Sequence, residues 1–143
     1  MDLGDDVATK LVGTETVVEW PVTPAMTARN VGSGEVNVLS TPWVVALMER
    51  AAVDAVADHL PEGATTVGTS VDLAHTAPSV VGRQARAHVL VEGVEGRKIL
   101  FSFQVSDEAG QVARGTHVRV VVNRARFERS AVDRAGSRHQ DHR

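Results

Sequence analysis

The strongest candidate for a catalytic group in this sequence is Glu49, which lies in the stretch STPWVVALMERAAVDAV at positions 40–56. If this stretch is a helix, the residues three and four positions away from Glu49 are its neighbours on the helix surface. These neighbours are all apolar, namely Val45, Ala46, Ala52 and Val53. A carboxylate among apolar side chains loses solvation and becomes a candidate general base or nucleophile. The alternative is a partly exposed acid that pairs with an arginine from a strand.

Thr41 lies eight residues before Glu49, at the predicted start of the same helix. A helix start presents unpaired N–H groups and partial positive charge, which suit a carbonyl oxygen that develops negative charge. The alternative is a simple helix cap. At the rise of an α-helix, eight residues separate the two side chains by about 12 Å, too far for one small reacting group. Two antiparallel helices related by a twofold axis would bring Thr41 of one chain near Glu49 of the other, so a shared catalytic role predicts a homodimer.

Two further candidates lie on the predicted strand TTVGTSVDLAH, at positions 65–75. His75 ends a row of alternate, mostly apolar residues that share one face, and a histidine can transfer protons near neutral pH. A histidine in such a row is also a common structural residue. Gly68 lies in the middle of the strand, where glycine weakens pairing. Its position predicts a bulge, or a place where a ligand approaches the backbone closely.

Arg119 and His117 are two residues apart in GTHVRVVV, at positions 115–122, and therefore share one face of a strand. An arginine on an otherwise apolar strand needs an anionic partner, such as Glu49, Asp72, a phosphate or a substrate oxygen. The alternative is an arginine on the solvent side of the sheet. The sequence has no HxH, HExxH or paired-carboxylate spacing, so no metal site is predicted. It also lacks the GxGxxG, P-loop and GxSxG motifs.

The candidates require one long helix and a sheet to position them. Ser40 or Thr41 would cap the helix, and LPEG at positions 60–63 would end it. Short connections such as EGVEG and DEAG favour antiparallel neighbours. The sequence thus predicts an α+β fold, with an antiparallel sheet of about five strands and one long helix across it. The predicted strands are Thr14–Val22, Thr65–His75, Gln84–Glu92, Arg97–Ser106 and Gln111–Asn123. Valines on both faces of the last strand need cover, which again favours a homodimer.

Length and composition predict one cytoplasmic domain. The chain has 143 residues, of which 43% are hydrophobic and 23% charged, and it has no cysteine. No apolar run approaches the roughly 18 residues that a membrane span needs, and the acidic start does not resemble a signal peptide. Residues 123–143 hold six arginines but three acids and only one aromatic residue. This pattern predicts a domain over residues 1–127 and a disordered, arginine-containing tail over 128–143, without nucleic-acid binding.

Residues 40–127 resemble the hotdog-fold thioesterases, most closely the group typified by fluoroacetyl-CoA thioesterase. The resemblance is carried by STPWVVALMERAAVDAV, VGTSVDLAHTA, GVEGRKI and GTHVRVVV. It implies a hotdog fold, in which a sheet wraps around a long central helix, and hydrolysis of acyl-CoA thioesters at a dimer interface. The positions that match the group's catalytic threonine, glutamate and histidine are Thr41, Glu49 and His75. Those that match its further active-site positions are Gly68 and Arg119.

The resemblance does not include the phenylalanine-bearing lid of that group, because RNVGSGEVNVLS at positions 29–40 contains no phenylalanine. We therefore expect a thioesterase for a small or medium acyl group and do not assign fluoroacetyl-CoA as its substrate. The reaction would need no metal and no cofactor, since CoA enters as part of the substrate. Two alternatives keep the fold, namely a protein that binds acyl-CoA or another hydrophobic ligand without turnover, and an acyl-thioester hydratase or dehydratase. Assembly of dimers into a tetramer stays open.

Overall fold

The computed structural model describes the backbone of residues 3–141 and the side-chain surroundings of residues 3–136. Its strands are β1 (Glu15–Pro21), β2 (Ala64–His75), β3 (Gln84–Glu95), β4 (Lys98–Asp107) and β5 (Gly110–Asn123). They form an antiparallel five-stranded sheet in the order β1-β3-β4-β5-β2. All five predicted strands are therefore confirmed, with small shifts at their ends. In this order β2 lies at one edge of the sheet and pairs with β5 alone.

The helices of the described chain are α1 (Asp5–Leu11), α2 (Ala28–Val31), α3 (Thr41–Val56) and α4 (Arg124–Asp141). Helix α3 is the long helix that the sequence predicts. It begins where the Ser40 hydroxyl accepts a hydrogen bond from the Trp43 N–H at 3.3 Å, with Pro42 in the first turn. A 3₁₀ turn at Ala57–His59 ends it. A five-stranded antiparallel sheet and one long helix confirm the predicted α+β class.

One face of α3 packs on the sheet and forms the centre of the core. This face consists of small and medium apolar side chains, namely Val44, Leu47, Met48, Ala51, Ala52, Ala55 and Val56. Next to it runs a half-buried stripe of Val45, Ala46, Glu49 and Val53, which the sheet covers only in part. Glu49 therefore lies at the boundary between the core and the open side of the helix.

A bulge between Gly68 and Ser70 changes which residues of β2 face α3. Gly68 is paired with Arg119, and His75 is paired with Ala113. Both partners lie at odd positions of β5 and therefore share one face. The extra residue at the bulge lets Gly68 and His75 point to the same side although seven positions separate them. The simple alternation that groups His75 with Val67 and Thr69 is therefore wrong, because it ignores this bulge.

The C-terminal segment differs from the disordered tail expected for residues 128–143. The structure places helix α4 over Arg124–Asp141, and its residues up to position 136 are exposed. Asn123 fixes the start of this helix, because its Oδ1 accepts a hydrogen bond from the Arg126 N–H at 2.9 Å. Alanine and arginine, which recur in this segment, have high helix propensity. The last residues of the tail, 142–143, lie outside the described part of the chain.

The sequence did not predict the two short helices near the N-terminus. Helix α1 has Asp5 and Asp6 in its first turn and buries Leu11 in the core. Helix α2 is capped by Thr27, which accepts a hydrogen bond from the Asn30 N–H at 3.3 Å. Within residues 3–141, no helix combines the length and the apolar character that crossing a membrane requires.

Candidate active site

Glu49 is held by a buried arginine from the last strand. Its Oε2 accepts a hydrogen bond from Nη1 of Arg119 at 2.9 Å, and the Glu49 side chain keeps 39% of its surface exposed. Arg119 itself is only 6% exposed. Among the described residues, Oε1 of Glu49 accepts no hydrogen bond. One carboxylate oxygen is thus fixed while the other remains free to meet water or a ligand.

The guanidinium of Arg119 is fixed in turn by Thr66 of β2. Its Nε donates to Oγ1 of Thr66 at 2.9 Å, and its Nη2 donates to the Thr66 carbonyl oxygen at 3.1 Å. Burial lowers the pKa of Arg119, and the adjacent Glu49 carboxylate acts in the opposite direction. Of the possible partners that the sequence suggested for Arg119, the structure therefore selects Glu49 and excludes an arginine on the solvent side of the sheet.

His117 completes this cluster and is almost fully buried, at 1% exposure. Its Nδ1 lies 2.8 Å from the Ser70 carbonyl oxygen and must donate to it, because a carbonyl can only accept. The other nitrogen, Nε2, therefore accepts from Nη1 of Arg119 at 3.2 Å. Burial lowers the pKa of His117, and the neighbouring positive charge of Arg119 lowers it further. A neutral imidazole with one defined tautomer thus supports the arginine that holds Glu49.

Gly68 leaves room for the Glu49 carboxylate against the backbone of β2. A Cβ atom at this position would lie 2.6 Å from Oε2 of Glu49, 3.1 Å from Cε1 of His117 and 3.2 Å from Nη1 of Arg119. The first of these distances is shorter than any real Cβ contact. The prediction of a bulge at this glycine is confirmed. The group that approaches its backbone is a carboxylate of the same chain.

A second pair of side chains lies at the start of α3. Oγ1 of Thr41 is 2.8 Å from Nδ1 of His75. Burial lowers the pKa of His75. The direction of this hydrogen bond depends on the tautomer of His75. An unprotonated Nδ1 accepts from the threonine hydroxyl and activates it as a nucleophile, whereas a protonated Nδ1 donates to Oγ1 and leaves the hydroxyl free to donate elsewhere. The Nε2 atom of His75 is buried and has no hydrogen-bond partner within the described residues.

The five predicted site residues thus form two groups rather than one. Thr41 and His75 contact each other, and Glu49 contacts Arg119 and Gly68. No hydrogen bond joins the two groups within the described chain, in keeping with the separation of about 12 Å that two helical turns impose. Across residues 3–136, no three histidine, aspartate or glutamate side chains converge as a metal site would require.

The sequence missed two residues of the Glu49 group as site residues, His117 and Thr66. His117 could have been included, because its spacing of two from Arg119 already placed both on one face. Thr66 gave no such signal, since its role depends on the pairing of β2 with β5 and on the direction of the Arg119 side chain.

Comparison with known proteins identifies a family whose model spans both groups of site residues. The model of the fluoroacetyl-CoA-specific thioesterase family matches residues 22–125. The curated fluoroacetyl-CoA thioesterase of Streptantibioticus cattleyicolor is 32% identical over 91 residues. This alignment spans 64% of the present chain and 66% of that protein.

Solved structures agree with the match. A variant of the fluoroacetyl-CoA-specific thioesterase, in complex with fluoroacetate and CoA, superposes with a TM-score of 0.78 at 29% identity. That comparison covers 81% of this chain and 98% of the other. A thioesterase superfamily member from Thermus thermophilus gives a TM-score of 0.82 at 30% identity, with 91% and 96% of the two chains covered. A hot-dog-like protein from Thermanaerovibrio acidaminovorans gives 0.80 at 30% identity, with 88% and 95% covered, so the expected hotdog fold is confirmed.

Proposed function

Because the chain belongs to the fluoroacetyl-CoA-specific thioesterase family, we propose that it hydrolyses acyl-CoA thioesters that carry a small or medium acyl group. The observation that carries this proposal is the way in which the two carboxylate oxygens of Glu49 are held. Its Oε2 is fixed by Arg119 at 2.9 Å, its Oε1 is free, and its side chain is 39% exposed on an otherwise apolar stripe. A carboxylate held in this way is positioned for chemistry on a bound ligand rather than for surface solubility.

We further propose that the active site is shared between two copies of the chain. Three features support a homodimer. The stripe of Val45, Ala46, Glu49 and Val53 on α3 is only half-buried. The edge strand β2 has residues 68–72 exposed and pairs on one side only, which leaves a row of backbone groups open to a second strand. The two groups of site residues are not joined by a hydrogen bond within the described chain, and a twofold axis between antiparallel α3 helices would bring them together.

In the shared site, Glu49 acts as the general base. Its free oxygen takes a proton from a water molecule as the water oxygen attacks the thioester carbonyl carbon. The carbon–sulfur bond then breaks, the electron pair leaves with the CoA sulfur, and the proton on Glu49 passes to that thiolate. The products are a carboxylic acid and CoA thiol, and the carboxylate returns to its initial state. Arg119 keeps its hydrogen bond to the other oxygen and so holds the geometry through the cycle.

The Thr41 and His75 pair contributes at the carbonyl oxygen. When Nδ1 of His75 donates to Oγ1 of Thr41, the threonine hydroxyl is free to donate to the oxygen that becomes negative in the tetrahedral intermediate. The N–H groups at the start of α3 add partial positive charge there. Gly68 has no side chain, so its backbone leaves room for the Glu49 carboxylate beside the reacting groups.

The segment that precedes α3 affects which acyl groups we expect the site to accept. Residues 27–39 contain no aromatic side chain, so this segment supplies no ring to close over a very small acyl group. We therefore expect no strong preference for fluoroacetyl-CoA over acetyl-CoA or propionyl-CoA.

Thiol release from a panel of acyl-CoA substrates of increasing chain length tests the proposed function. The replacement Glu49→Gln should lower turnover by at least about a hundredfold, the lower range for a general base. Asp54→Asn is the matched control, because Asp54 lies on the same helix but pairs with Arg50 on the exposed side. Saturable acyl-CoA binding without thiol release would indicate a binding protein, and a product still attached to CoA would indicate a hydratase or dehydratase. Either result contradicts the proposal.

A further inference from the structure

A surface depression lies where the end of β5 continues into α4. Arg97, from the turn between β3 and β4, forms one side of it. The other lining residues come from the end of β5 and the first turns of α4, namely Val122, Asn123, Arg126, Phe127 and Ser130. None of these residues belongs to the two groups of the candidate active site.

Backbone hydrogen bonds hold the two sides of the depression together. The Arg97 carbonyl oxygen accepts from the Val121 N–H at 2.9 Å, which fixes the turn against β5. The Arg124 N–H donates to the Gly63 carbonyl oxygen at 2.9 Å, and Asn123 caps the start of α4 through the Arg126 N–H at 2.9 Å. The two guanidinium groups therefore extend from a defined backbone at the same end of the sheet.

The depression carries positive charge on a chain whose formal net charge is −3. Arg97 and Arg126 are both exposed, and no described carboxylate lies within 4 Å of either guanidinium. Paired guanidinium groups without an acidic partner suit phosphate oxygens, which they can bind through charge-assisted hydrogen bonds.

Phe127 adds a second kind of contact in the same depression. Its side chain is 45% exposed, although it lies beside buried Val122 at 9%. An exposed aromatic ring next to arginines provides a surface on which a nucleobase can stack. Asn123 and Ser130 supply neutral hydrogen-bonding groups. A ligand that carries both phosphate groups and an aromatic base, and so matches these two kinds of contact, is a nucleotide.

The distance to the reacting groups fits one extended ligand. Val122 and Arg119 are three residues apart on β5, which corresponds to about 10 Å along the strand. The two side chains point to opposite faces of the sheet, so the ligand has to pass around the end of β5. CoA thioesters carry a phosphorylated adenosine diphosphate on a long, flexible pantetheine arm, and such an arm can follow this path.

We infer that this depression binds the 3′-phosphorylated adenosine diphosphate of the CoA substrate, with Arg97 and Arg126 on its phosphates and Phe127 against its adenine. The inference rests on the proposed function for the identity of the ligand. It concerns recognition of the nucleotide and takes no part in the chemistry at the thioester.

The kinetic experiment compares acetyl-CoA with acetyl-pantetheine, which has the same thioester but lacks the nucleotide. Arg97→Gln and Arg126→Gln should each raise the KM for acetyl-CoA by about tenfold, as expected for a lost charge-assisted hydrogen bond, and leave kcat unchanged. Phe127→Leu should raise that KM by about fivefold through loss of stacking. None of these changes should affect acetyl-pantetheine. Arg114→Gln is the matched control, because Arg114 is exposed near the opposite end of β5.

Direct binding of adenosine 3′,5′-bisphosphate, measured by calorimetry on the full chain, separates this inference from the proposed function. Binding by the wild type that Arg126→Gln weakens supports the nucleotide site, even if no thioester is hydrolysed. Hydrolysis with equal loss for acetyl-CoA and acetyl-pantetheine in the variants would overturn the inference and leave the proposed function standing. ATP that binds as well as the bisphosphate, or a single-stranded oligonucleotide that binds more tightly, would also overturn it.

Discussion

Replacing Gly68 with alanine perturbs the site through one methyl group. The new Cβ would lie 2.6 Å from Oε2 of Glu49, whereas ordinary contacts begin at 3.4 Å. The carboxylate must therefore retreat by about 0.8 Å, the difference between these distances. Misplacement of a reacting group by about 1 Å can cost a hundredfold in rate, and we expect a loss of that order in kcat.

The fold should survive this substitution. The atom in closest conflict is the end of a flexible side chain, and alanine suits a strand better than glycine does. We expect the free energy of unfolding to change by less than about 1 kcal/mol. Thiol release with acetyl-CoA measures kcat, and urea unfolding measures stability on the same preparation.

Gly93→Ala provides the control for Gly68→Ala. Gly93 also lies in a strand next to a bulge, but a Cβ there would meet only Cδ1 of Leu100 at an ordinary 3.7 Å. It should retain full activity. A folded Gly68→Ala protein with normal kcat would contradict the inference that Gly68 leaves room for the Glu49 carboxylate. An equal loss of kcat in Gly68→Ala and Gly93→Ala would contradict it as well.

Two further predictions concern stability. Burial lowers the pKa of His117 and of His75 below the ordinary value of 6.5. Below about pH 6.5 the unfolded chain therefore binds more protons than the folded chain. The free energy of unfolding should fall as the pH decreases below this value and stay level at higher pH. Urea unfolding at pH values below and above about 6.5 measures how the free energy of unfolding changes with pH, and this change should be smaller in His117→Asn. Equal stability of the wild type below and above about pH 6.5 would contradict the prediction. Gly115→Ala should destabilise the fold by about 3 kcal/mol or more, because its Cβ would clash with the Asp72 carbonyl oxygen on the paired strand. A thermal midpoint equal to that of the wild type would contradict this clash.

The sequence predicted those features that depend on local pattern. The apolar neighbours of Glu49 located an acid at the edge of the core, and the turn-rich connections predicted an antiparallel sheet. The spacing of His117 and Arg119 placed both on one face. Each of these inferences needs only the period of a helix or a strand.

Other features depend on contacts between distant segments. The bulge after Gly68 reverses the alternation of β2, so Gly68 and His75 share a face that the simple period assigns to opposite sides. Thr66 holds Arg119 only because β2 pairs with β5 in one register. Helix α4 depends on the helix propensity of its residues, which the charge pattern does not report.

The central claim is that Glu49 of one chain works with Thr41 of another. Mixing the Glu49→Gln and Thr41→Ala proteins tests it directly, under conditions that dissociate and reassociate the proposed dimers; each variant alone should be nearly inactive. In a mixed dimer with a shared site, one site collects both substitutions and the other has neither.

Random reassociation makes about half of the dimers mixed, and one of the two sites in each is intact, so thiol release should recover to about one quarter of the wild-type rate. If both residues act within one chain, every site keeps one substitution and mixing restores nothing. Recovery to about one quarter is the predicted result, and a mixture as inactive as its two components would contradict the account.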